Sequence, residues 1–219
     1  MKNEKLRPKI LSTRMIANAS LSLLEKFDIK GDYKSLGIIT SDMDDVTYTA
    51  LDEATKAAAV DVVYAKSMYA GAGNASTLLA GEVIGIIGGR SPAEVQSGLN
   101  AAMLFMKNDG YFVSANDDNS IVYYAHTISR TGSYLSKMAG IKEGEPLAYL
   151  IAPPLEAIYG LDMAMKASDV KLCEFYAPPS ETNFGGGLLT GTQSACKAAC
   201  SAFAEAVKQI AENPLEVNI

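Results

Sequence analysis

Three carboxylates cluster in the segment SDMDDV: Asp42, Asp44 and Asp45. They lie between a short apolar run, SLGIIT (35–40), and an Ala-rich stretch that begins at Asp44. At a strand-to-helix junction, acids cap the first helical N–H groups and offset the positive end of the helix dipole. That duty occupies one carboxylate or two, so the cluster is richer in acid than a helix start requires. Other reactive side chains are sparse. His126 is the single histidine and sits in a strand-like run, with no cysteine or second histidine at ligand spacing. It reads as a core or surface histidine, and no metal site is expected. Cys173, Cys196 and Cys200 are an odd number, and the last two share a helix face with Phe203, as small buried hydrophobes do. Ser129, Ser133 and Ser136 near His126 lack a nucleophile-elbow motif. The stretch GEVIGIIGGRSP lacks both G-x-G-x-x-G and a G-K-[ST] ending, so it punctuates a strand and a helix. Asn74-Ala75-Ser76 matches a glycosylation sequon by chance, given no secretion signal. No enzyme and no cofactor are expected.

The elements that must position the acidic cluster occur twice. Residues 16–39 lie over residues 128–151 at a constant shift of 112 residues (128 − 16), pairing Ile16 with Ile128, Leu23 with Leu135, Ile29 with Ile141 and Lys30 with Lys142. The order that follows also repeats. SLGIIT (35–40) and LAYLIA (147–152) are buried-strand signatures. DDVTYTALDEATKAAAVDVV (44–63) and LEAIYGLDMAMKASDV (155–170) read as helices. Strand-like segments ending at 67–71 and at 171–178 then lead into flexible stretches, GAGNAST and PPSETNFGGG. VIGIIG (83–88) and GLLTG (187–191) are strands that each hand over to a closing helix. The first of these helices opens with a capping box at Ser91, Pro92 and Glu94 and carries an apolar face of Val95, Leu99, Ala102, Met103 and Met106. The second presents Cys196, Ala199, Cys200, Phe203, Val207 and Ile210. A helix is expected over 10–27, and a hairpin around Asp117-Asp118-Asn119 joins the halves. The chain divides into 1–112 and 113–219. The fold class is α/β.

Bulk properties narrow the partners. A chain of 219 residues, 48% hydrophobic and 20% charged, can bury one large or two small cores. A net charge of −6 without a basic stripe argues against nucleic acid. The N-terminal MKNEKLRPKI has no apolar signal region and no window approaches 18 consecutive apolar residues, so the expectation is a cytoplasmic chain that spans no membrane.

GLDMAMKASDVKL (160–172) resembles the helix-to-strand junction of the bacterial microcompartment shell-protein family, in which an Ala-rich helix ends in Lys-Ala before a Val-led strand. Lys56 of DEATKAAAVDVV holds the same place in the first half. With SDMDDVTYTALDEATK, RTGSYLS, EPLAYLIAPPLEA and the tandem order, the likeness covers nearly the whole chain and points to the ethanolamine-utilisation members. The resemblance implies two tandem, circularly permuted shell domains of α+β, ferredoxin-like fold. It implies a homotrimer that imitates a hexamer and tiles with other shell proteins around a gated pore. It places Lys56 and Lys166 at tile edges, and Asp44, Asp45, Glu82, Phe112, Thr182, Asn183 and Phe184 around an ethanolamine pocket. Ethanolamine is a primary ammonium with a hydroxyl, which suits a carboxylate pair and an aromatic face. Tyr69, Gly71 and Gly73 and the run Gly185, Gly186 and Gly187 are the implied gate residues. The competing reading is a free-standing small-amine sensor, which would form no sheets.

Overall fold

The computed structural model describes residues 1–67, 82–180 and 182–215. In chain order the strands and helices are β1 (Lys5–Leu6), β2 (Ile10–Ile16), α1 (Leu21–Lys26), β3 (Ser35–Ser41), α2 (Asp44–Ala57), β4 (Val60–Ser67), β5 (Val83–Gly89) and α3 (Pro92–Asn108). They continue with β6 (Phe112–Ser114), β7 (Val122–Ile128), α4 (Ser133–Ala139), β8 (Leu147–Ala152), α5 (Pro154–Ala167), β9 (Val170–Tyr176), β10 (Gly185–Gly191) and α6 (Gln193–Glu212). The chain folds as two compact units. One comprises Arg7–Gly110 with Gly132–Leu135, and the other comprises Met1–Leu6, Tyr111–Thr131 and Ser136–Ile219.

The first unit is built on an antiparallel sheet in the order β2-β3-β5-β4, with α2 and α3 packed on it. Leu36, Ile39, Val46, Leu51, Ile87, Val95 and Leu99 form its core. The central strands β3 and β5 are buried at consecutive positions, so both their faces are covered and the apolar alternation of a half-exposed strand is lost. The capping box expected at α3 is present: Ser91 Oγ accepts the Glu94 N–H at 3.3 Å, and Glu94 Oε2 accepts the Ser91 N–H at 3.0 Å. The second unit repeats the plan with β7-β8-β10-β9, extended by β6 and the two-residue β1. Its core joins Tyr123, Leu150, Leu161, Leu189, Cys196, Cys200 and Phe203 beneath α5 and α6. The expected hairpin is formed by β6 and β7, paired at Val113 with Tyr123.

The structure corrects the sequence reading at three places. Residues 10–27 are not one helix but strand β2, then α1. The register of β2 against β3 slips between Ile10 and Ser12, leaving Leu11 as an extra residue, and the half-buried positions Ile10, Thr13 and Ile16 recur at a helix-like spacing of three. The corresponding β7 pairs with β8 without a slip. The helix expected over 44–63 ends at Ala57, and the β-branched run from Val60 begins strand β4. Finally, Gly185–Gly187 are not part of an irregular stretch. They open strand β10 and pair with both β8 and β9. Gly186 has φ of +154°, and a Cβ there would strike the Leu150 carbonyl oxygen. Close backbone approach therefore accounts for glycine at this position.

Candidate functional site

The acidic cluster stands at one end of the four-stranded sheet. Ser41, Val83 and Ser67 are aligned across β3, β5 and β4, so the start of α2, the end of β4 and Glu82 just before β5 converge there. The N-terminus of α2 is not held by an aspartate cap. Met43 is the N-cap residue, and the turn is tied by Ser41 Oγ, which accepts the Met43 N–H at 3.2 Å and lies 2.6 Å from Thr47 Oγ1. Asp42 instead turns outward to the neighbouring strand, where its Oδ1 accepts the Lys9 N–H at 2.7 Å.

Asp44 and Asp45 occupy the first turn of α2 and are both buried. Asp44 Oδ1 accepts the Asp45 N–H at 3.0 Å. Burial first, and then the adjacent Asp45 charge, push the Asp44 carboxyl well above the usual carboxylate range, against a hydrogen bond from Ser67. Tyr48, one turn further along α2, hydrogen-bonds the Ser67 hydroxyl, and burial raises its phenol. No lysine or arginine forms an ion pair with Asp44 among the described residues. Nor does any group of three His, Cys, Asp or Glu side chains among them take up metal-ligand geometry. The Asp44 carboxyl, buried beside a second buried carboxyl, resists ionisation unless positive charge is brought to it.

The remaining expected pocket residues belong to the other unit. Phe112 and Phe184 are buried with ring centroids 6.0 Å apart, and Phe112 stacks on Tyr124 at 5.4 Å. Thr182 is buried, its hydroxyl accepting the Phe184 N–H at 3.3 Å, whereas Asn183 is exposed. His126 extends the aromatic row by stacking on Tyr124 at 5.5 Å and is half-buried in β7. Cys200 is pushed up to about 11 by burial and donates no chemistry. Tyr69, Gly71 and Gly73 lie outside the described residues.

Lys56 and Lys166 take equivalent places, each in the last turn of its helix. Each borders a shallow groove between paired helices, about 360 Å³ beside α2 and α3 and about 310 Å³ beside α5 and α6. Their freedom differs. Lys56 is held by Glu53 and by the buried Asp52 at 3.8 Å, whereas Lys166 is exposed and, among the described residues, pairs along its own helix with Asp162 at 2.5 Å.

Comparison with known proteins decides the family. A BMC domain matches residues 35–119. The bacterial microcompartment shell protein EutL of Clostridium perfringens is 68% identical over 215 residues, covering 98% of this chain and 99% of that protein. The chain belongs to the EutL family of bacterial microcompartment shell proteins. EutL of Escherichia coli strain K12 is 50% identical over 211 residues, with 96% of each chain covered. The crystal structure of the ethanolamine utilization protein EutL from Leptotrichia buccalis superposes with a TM-score of 0.95 at 64% identity, over 99% of this chain and 100% of that one. EutL-family membership makes this a structural, non-enzymatic protein of the microcompartment shell, working in company with other shell subunits. Of the residues around the acids, Tyr48 and Ser67 escaped the sequence reading. Tyr48 could have been found, since it follows Asp44 at the i, i+4 spacing that places two side chains on one helix face.

Proposed function

We propose that three copies of this chain form a ring of six shell repeats that tiles with other shell proteins in a cytoplasmic microcompartment, with a gated central pore, and that ethanolamine binds at the acidic turn of the first repeat. The two repeats are read as shell domains of residues 1–112 and 113–219. Lys56 and Lys166 are the edge residues. The segments carrying Tyr69, Gly71 and Gly73, and the turn leading into Gly185, Gly186 and Gly187, are the gate. The ligand role rests on one observation above the others: Asp44 and Asp45 are buried side by side, and burial, and then the adjacent Asp45 charge, hold the Asp44 carboxyl well above the usual carboxylate range. A primary ammonium supplies positive charge there in charge-assisted hydrogen bonds, and the Ser67 hydroxyl, hydrogen-bonded to Tyr48, lies at the same end of the sheet, where Glu82 just precedes β5. Phe112, Thr182, Asn183 and Phe184 of the second unit are the further ligand residues that the family resemblance implies.

Light scattering and electron microscopy test the tile. The expected result is a trimer that forms flat hexagonal layers when concentrated, and a monomer at every concentration would contradict it. A thermal-shift titration tests the ligand. Ethanolamine is expected to raise the melting temperature of the wild type but not of Asp45→Asn, because ligand that binds only the folded state stabilises by mass action.

A further inference from the structure

A polar stripe runs along one face of α2: Asp44, Tyr48, Asp52 and Thr55, at i, i+4, i+8 and i+11. Its last two members hold residues 132–135, a segment that follows β7 but folds within the first unit. Asp52 Oδ2 accepts the Gly132 N–H at 2.7 Å, Asp52 Oδ1 accepts the Leu135 N–H at 2.9 Å, and Thr55 Oγ1 accepts the Ser133 N–H at 3.1 Å. The fit is close enough that a Cβ at Gly132 would strike Thr55 Oγ1. Tyr134, held in that segment, packs near Tyr48 with ring centroids 6.3 Å apart. The helix that carries the acidic turn therefore also anchors the ring that backs Tyr48.

Tyr48 is in turn joined to the acids. Its hydroxyl hydrogen-bonds Ser67 Oγ, and the Ser67 hydroxyl hydrogen-bonds the Asp44 carboxyl. Three oxygens stand in series, and because each hydroxyl has one proton, the bonds along the series must point the same way. With Asp44 ionised, Ser67 donates to the carboxylate and accepts from Tyr48. With Asp44 protonated, the series can run in reverse, from the carboxyl to Ser67 to the Tyr48 oxygen. Burial holds the Tyr48 phenol above the usual tyrosine range, so it keeps its proton and remains a donor. The titratable groups facing it are Asp44 and Asp45 on its own helix and Tyr134 on the segment that backs it. The second repeat has neither end of the series, since Pro154 stands for Asp44 and Ile158 for Tyr48 when α5 is laid over α2.

We propose that Tyr48 is a positioning residue for the ammonium site at the acidic turn: its phenol turns the Ser67 hydroxyl toward Asp44 and so stabilises the carboxylate that the ammonium needs. The proposal rests on the ligand reading above and adds to it a side chain that acts on the acid through Ser67. When the ammonium binds, Asp44 loses its proton to solvent and the series locks in the direction Tyr48 to Ser67 to Asp44. Without the phenol, Ser67 can turn to accept from a protonated Asp44, and the acid keeps its proton to higher pH.

Calorimetric titration of ethanolamine from about pH 6 to about pH 8.5 tests it, using the full chain as wild type, Tyr48→Phe, Ser67→Ala and the double variant. Tyr48→Phe keeps the ring against Tyr134 and is expected to weaken binding about fivefold at neutral pH. The loss is expected to shrink toward the alkaline end, as Asp44 ionises in both proteins. Ser67→Ala is expected to shift the profile the same way, and the double variant no further than Ser67→Ala alone, because the phenol acts through that hydroxyl. A Tyr48→Phe profile that superposes on the wild type, a loss equal at every pH, or additive effects in the double variant would overturn the positioning role while the ammonium site stands. A wild type that binds no ethanolamine at any pH removes the site and the role together.

Discussion

The helices α2 and α5 share length, position and a terminal Asp-Lys pair, but their solvent preferences are inverted. α2 buries Asp44, Asp45, Thr47, Thr49 and Asp52, while α5 begins at Pro153-Pro154 and exposes Leu155, Ile158 and Tyr159. Sequence patterning on a helix normally puts apolar residues inward. Asp52 and Thr55 on α2 accept the backbone N–H groups of 132–135, and its acidic start meets a cation by proposal, while Leu155, Ile158 and Tyr159 on α5 face solvent in the single chain.

The largest expected contrast comes from deleting the two equivalent aspartates. Asp52→Ala leaves the Gly132 and Leu135 N–H groups buried without an acceptor, and about 2–4 kcal/mol of stability is expected to be lost in urea unfolding. Asp162→Ala is expected to change the unfolding of the dilute chain by no more than about 0.5 kcal/mol. Similar losses for both would erase the distinction. Gly132→Ala, which forces a Cβ against Thr55 and Asp52, is expected to cost about 1–3 kcal/mol, while Ser20→Ala at the matching place in the first repeat changes little.

Asp44→Asn is expected to act in the opposite direction, raising ligand-free stability at neutral pH by about 1 kcal/mol. The Asp44 pKa is raised in the fold, so its contribution is fully present below the ordinary aspartate value and is lost as pH rises through the raised one. The advantage of the variant should therefore be greatest at neutral pH and vanish in acid, as melting curves across the pH range would record. The smallest effect is at the helix ends. Lys56→Ala is expected to destabilise slightly, since Lys56 neighbours the buried Asp52, whereas Lys166→Ala should leave unfolding unchanged and act only on sheet formation.

Much of the scaffold was legible in local signals. SLGIIT, LAYLIA and VIGIIG are short apolar runs between polar stops, and Ser91 with Glu94 announces α3 within four residues. The misreadings have a different origin. The Leu11 bulge is fixed by pairing with β3, and the helix-to-strand change after Ala57 lies inside an Ala and Val run that either state accommodates. At the candidate site, Asp44 and Asp45 stood out because no helix start needs so many acids. The partnership of Asp52 with residues 132–135 spans some 80 residues. The repeat register carries the clue, since Asp52 and Asp162 are matched while Gly132 and Ser20 are not.

The most direct measurement is calorimetric titration of ethanolamine at neutral pH, against wild type and Asp45→Asn, in two buffers of different ionisation enthalpy. Saturable binding to the wild type with proton release is expected, because the ammonium draws the raised Asp44 carboxyl into its ionised form, together with loss of binding in the variant. Equal affinity in both proteins, or no binding to either, would contradict an ammonium site at the acidic turn.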